Sequence, residues 1–189
     1  MGFSNSWIAV KGLAPDVAIE ELGLEVVSEG HEHPEGNFSL LRLANDWTVV
    51  WFESGCEAAF KGPVVKLARH GPAVACGVED HVMFSEARGY IDGKEAWRVT
   101  RDAEASDEIE ISGDVPPTYG GLLAAAIAGR DEDENEGVDL LWEVPPDLAQ
   151  SICGFRHDVI QTDGSTFVEL RRARRAAGGG FWRRLFGRG

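Results

Sequence analysis

Apolar residues in this chain fall mainly in short blocks of β-branched and aromatic side chains, which is the pattern of strands rather than of long amphipathic helices. Residues 6–10, Ser6-Trp7-Ile8-Ala9-Val10, read as a buried strand stopped at Gly12. Ala14-Pro15-Asp16 opens a helix with proline in its first turn, and Gly23 closes it. A strand follows over residues 24–27, then a polar loop, His31-Glu32-His33-Pro34-Glu35-Gly36. The clearest hairpin pairs residues 38–43 with 47–52 across Ala44-Asn45-Asp46. Its second arm, Trp47-Thr48-Val49-Val50-Trp51-Phe52, has no polar alternation and predicts a strand buried on both faces.

The same succession then recurs. Residues 57–68 predict a helix interrupted at Gly62-Pro63, residues 72–78 a strand, and 82–91 with 95–101 a hairpin turning at Asp92-Gly93. Helix, strand and hairpin thus follow one another over 15–52 and again over 57–102, the outline of an internal duplication or of two hairpins on one sheet. Further on, Ile109-Glu110-Ile111 predicts an edge strand, residues 119–128 an Ala/Leu-rich helix, 138–144 a short strand and 146–153 a helix. Residues 155–160 read as extended and 167–177 as helical. The expected fold is α+β: one mostly antiparallel sheet with helices on one face, in a single domain over 1–170.

Charge changes this picture. All 32 acidic residues lie within 1–170 beside 11 basic ones, so the body carries a formal −21, while residues 171–189 carry +7. Such a body repels a phosphate backbone, which argues against nucleic acid as a partner and makes a basic protein surface the natural complement. Beyond the glycine joint 178–180, the sequence Phe181-Trp182-Arg183-Arg184-Leu185-Phe186 sets its apolar residues at i, i+1, i+4 and i+5, flanked by arginines. One or two helical turns would gather them on one side, for a partner's groove, an anionic membrane surface or the acidic body itself. Nine residues hold no helix alone, so a partner must order them.

Candidate chemistry is sparse. Glu79-Asp80-His81 sets a carboxylate beside an imidazole at a strand end, with Ser85 four residues on, the raw material of a general base or a metal ligand. His157-Asp158, inside Gly154-Phe155-Arg156-His157-Asp158, would complete a divalent-ion cluster of Glu79, His81, His157 and Asp158 if the two segments met. Local hydrogen-bonded pairs are the simpler expectation for both. His31-x-His33 reads as exposed loop, and the run 131–137 departs from a calcium loop because Glu replaces Asp or Asn at its first three ligand positions. Cys56, Cys76 and Cys153 show no Cys-x-x-Cys spacing, which favours small buried hydrophobes in a reducing compartment. No phosphate-binding glycine motif, nucleophile elbow or zinc-protease motif occurs, and no cofactor is expected. With no basic leader and no long apolar run, the chain reads as cytoplasmic, or peripheral at the inner membrane through its tail.

The opening Met1-Gly2-Phe3-Ser4-Asn5-Ser6-Trp7-Ile8-Ala9-Val10-Lys11-Gly12 resembles that of some uncharacterised bacterial proteins. Those proteins also share stretches similar to Glu79-Asp80-His81-Val82-Met83-Phe84-Ser85 and Gly154-Phe155-Arg156-His157-Asp158. The resemblance implies a bacterial, cytoplasmic setting and carries no catalytic residue across. The leading expectation is a non-enzymatic acidic protein-binding module, an inhibitor or immunity-type factor for a basic target. Its rivals are a metal-assisted hydrolase and a peripheral membrane protein held by its tail.

Overall fold

A computed structural model describes residues 4–130 and 138–173. The tail residues 181–186 and the acidic run 131–137 lie outside the described residues. Nine strands form one sheet, antiparallel throughout: β1 (Ser4–Lys11), β2 (Leu24–His31), β3 (Phe38–Arg42), β4 (Trp47–Phe52), β5 (Ala73–Glu79), β6 (Phe84–Ile91), β7 (Lys94–Asp102), β8 (Ile109–Gly113) and β9 (Phe167–Arg172). Their spatial order is β2-β9-β3-β4-β1-β5-β6-β7-β8. Among the described residues four α-helices accompany them: α1 (Pro15–Leu22), α2 (Pro63–Leu67), α3 (Thr118–Gly129) and α4 (Val144–Cys153). None is long and apolar enough to cross a membrane.

The first strand sits near the middle of the sheet, between β4 and β5. Its side chains alternate between two separate cores: Trp7 and Ala9 enter one, Ile8 and Val10 the other. Strand β4 does the same, with Val49 and Trp51 on one side and Val50 and Phe52 on the other. Two apolar faces need two covers. Helix α4 covers the first through Leu148, Ala149 and Cys153, whereas α1 and α2 cover the second through Ala18, Val64 and Leu67. Helices therefore lie on both faces, not on one, because the central strands have no polar side to turn to water.

The succession of one helix and three strands appears as α1-β2-β3-β4 and as α2-β5-β6-β7, but the pairings differ. In the second, β5, β6 and β7 form a continuous meander. In the first, β9 is inserted between β2 and β3 and hydrogen-bonds to both.

That insertion corrects the helix expected from residue 167. Phe167 faces one core while Val168 and Leu170 face the other, the two-residue period of a strand filling an open slot. Residues 138–144 differ as well. Leu140–Glu143 is a 3-10 turn whose start is capped by Asp139, its carboxylate accepting from the Leu141 N–H at 3.1 Å. Pro145 and Pro146 then occupy the first turn of α4, where no N–H is needed.

Candidate functional site

Three segments meet where β5 ends: the 3-10 turn Asp80–Val82, the turn Leu140–Glu143, and residues 155–158 after α4. Trp142 fastens the second to the start of β6, just after the first. Its indole N–H donates to the Phe84 carbonyl at 3.0 Å, and its own carbonyl accepts from Ser85 Oγ at 2.7 Å. Ser85 is fully buried, so its hydroxyl is committed to this anchor. Asp139 is tied to the sheet by Arg101, whose Nε and Nη2 each lie 2.8 Å from its carboxylate. Arg101 is buried, and with its charge balanced there the pair holds the turn in place.

The third segment starts at Gly154, whose left-handed backbone (φ 83°) ends α4 and reverses the chain. Phe155 then plunges into the core, edge-on to Trp7 with ring centroids 5.2 Å apart. Arg156 points the other way into three carboxylates: Glu143 and Asp147 on its Nη atoms, and Asp158 at 2.7 Å from Nε. His157 turns back inside, its side chain 1% exposed and its ring edge-on to Trp142 at 6.0 Å. Burial is the largest influence on this imidazole and lowers its pKa, Asp158 raises it, Arg156 lowers it and Asp80 raises it; the net direction is down. Burial pushes the Asp158 carboxyl up, but its hydrogen bonds from Arg156 and the charges of His157 and Arg156 outweigh that and hold it low.

The segment after α4 therefore does fold back on the Glu79 region, and it meets Asp80 rather than His81. Asp80, Asp139, Glu143 and Asp158 line one pocket of about 290 Å³ with Trp142 and His157 in its wall. Glu79 and His81 instead pair with each other at 2.8 Å, with His81 70% exposed. Hydrogen bonds to Ser4 and then to His81 hold the Glu79 carboxyl below its usual range. Among the described residues no group of three or more His, Cys, Asp or Glu is placed to hold a metal ion. His157 also borders a second hollow of about 300 Å³, shared with Glu32 and His33, so the two histidine-bearing segments are neighbours. Of the cysteines, all three are free thiols; burial raises Cys76 and pushes Cys153 up to about 12, leaving both as inert packing.

Sequence reasoning missed Trp142 and Asp139 because residues 138–144 read as a strand, and it weighed Glu143 only as the last ligand of a calcium loop. The Pro145-Pro146 pair was the available signal, since two prolines in succession belong to the first turn of a helix and cannot follow on from a central strand.

One further surface is unusual. Helix α3 is apolar nearly all round, yet none of its residues is buried. Tyr119 and Leu122 pack against the α4-side core, while Ala124, Ala125 and Ile127 face outward and Ile127 is 51% exposed. The helix leads directly in sequence through the run 131–137 to Val138 and Asp139 at the pocket. No protein-family model, curated protein or solved structure matches this chain.

Proposed function

We propose that this chain is a non-enzymatic acidic protein-binding module of the bacterial cytoplasm, an inhibitor or immunity-type factor that holds a basic protein partner. The observation that carries the reading is the pocket of about 290 Å³ in which Asp80, Asp139, Glu143 and Asp158 gather around Trp142. Arg101 pairs with Asp139, and Arg156 with Glu143 and Asp158, so the cations on this wall are themselves engaged and its polar lining side chains are mainly acidic. A lysine or arginine side chain from a partner fits such a wall, with carboxylates to pair with and an indole beside them. The outward apolar face of α3 offers the water-excluding surface that a charged contact needs around it. Three free thiols accord with a reducing cytoplasm.

Affinity capture from a bacterial lysate at low and moderate salt tests this, with wild-type chain, Asp80→Lys and a control reversal at exposed Glu20 on α1. A basic protein held by wild type and Glu20→Lys, released by salt and lost with Asp80→Lys, is the expected result. Equal capture by all three chains, or no salt-sensitive partner, sinks the proposal.

A further inference from the structure

At one end of the sheet lies a cleft unlike the rest of the body. Strands β2 and β3 start there and β9 and β4 finish there, so Leu24, Phe38, Phe52 and Arg172 are brought together by register: Leu24 opposite Arg172, and Phe38 opposite Phe52. The end of α1 adds Leu22, and the segment leading into α2 adds Ala58. The cleft measures about 370 Å³, inside the range of roughly 300–1,000 Å³ usual for small-molecule sites. Its floor is apolar. Its charged lining residues are Lys61, Lys66 and Arg172, and no carboxylate lines it among the described residues, although residues 1–170 carry a formal −21.

The state of those cations is specific. Lys66 Nζ donates to a main-chain oxygen, that of Glu21, at 3.1 Å. The Arg172 guanidinium stands over the Phe38 ring at 5.3 Å and pairs with no carboxylate among the described residues, whereas its neighbour Arg171 pairs with Glu25 at 2.7 Å. Lys61 shares its charge with Glu57, which stands outside the wall. Apolar floor and cationic mouth together define an amphiphile's two ends.

We infer that this cleft binds a small amphipathic anion, an alkyl-chain carboxylate whose chain lies on Leu24, Phe38 and Phe52 and whose head group meets Lys66 and Arg172. The site lies apart from the acidic pocket and is independent of the partner reading. Nothing in it performs a reaction; it is a binding site.

Calorimetric titration of the full chain with decanoate, and with decanol as the uncharged counterpart, tests this. Wild type binds decanoate with a Kd below about 1 mM and more tightly than decanol. Replacing both cations (Lys66→Gln with Arg172→Gln) weakens decanoate about tenfold and leaves decanol unchanged. Ala58→Phe fills the cleft and removes binding of both; should that variant not fold, the double glutamine variant decides alone. The inference is overturned by decanoate binding the double variant as it binds wild type, by decanol matching decanoate, or by a folded Ala58→Phe chain that still binds. No decanoate binding up to several millimolar also overturns it, as does flotation with phosphatidylglycerol vesicles by a chain that ignores decanoate.

Discussion

His157 is a histidine buried beside Trp142 with an imidazole pKa lowered by burial above all. Its unfolded counterpart titrates near 6.5. As pH falls through that value the unfolded chain takes up a proton that the folded chain refuses, so stability is lost in the acid direction, by up to about 1.4 kcal/mol per pH unit for one proton. Asp158 and Glu79 carry depressed carboxyl pKa values, so their stabilisation is present above the unfolded carboxylate range and lost only below it. Between pH 7 and 5 the difference between wild type and a His157 variant therefore reports His157. Urea midpoints measured across it fall for wild type and stay flatter for His157→Phe, whatever the absolute stability of the variant; parallel curves would remove the assignment. The sequence already showed His157 flanked by Arg156 and Asp158. It did not show which of the three turns inward, because that depends on how Gly154 reverses the chain and on the Trp142 ring waiting there.

At the scale of elements, the turn Leu140–Glu143, helix α4 and the segment beyond it are joined by one guanidinium. Arg156 meets Glu143 before α4, Asp147 in its first turn and Asp158 after its end. Both Glu143 and Asp147 also sit near the positive end of the helix dipole. Arg156 is only 12% exposed while Glu143, Asp147 and Asp158 are 37%, 35% and 34% exposed, so removing the arginine leaves three partly hydrated carboxylates facing one another. Arg156→Leu is expected to cost about 1–2 kcal/mol in urea unfolding, between the values for exposed and buried pairs, with part of the loss recovered in high salt as the repulsion is screened. A loss below about 0.5 kcal/mol would show the network to be ornamental. Hairpins were the most legible elements, since β3–β4 and β6–β7 carry both their strand pattern and their turn residues locally; Asp46 and Asp92 take the left-handed backbone their turns require. Strand β9 was read as a helix because Phe167-Val168-Glu169-Leu170 suits either period, and its partners β2 and β3 lie over a hundred residues away.

For the whole molecule, β9 decides whether the first half of the sheet is continuous. It bonds to β2 on one side and β3 on the other, and Ser28 Oγ reaches Glu169 at 2.7 Å across 141 positions of chain. A chain ending at 166 would detach β2 and bare the edge of β3, an invitation to intermolecular pairing. It is expected to aggregate or to melt without a cooperative transition. A chain ending at Ala173 keeps every described strand and is expected to melt within a few degrees of full length; calorimetry on the two truncations checks both. From sequence alone came the α+β class, the antiparallel hairpins and the central strands buried on both faces, because alternation, β-branching and turn chemistry are local properties of a chain. Tertiary structure alone decided the placement of β9, the cover on both faces and the meeting of Asp80 with Trp142 and His157. Those depend on which distant segment fills an open strand edge or an uncovered apolar face, and that free energy exists only once the other segments are already in place.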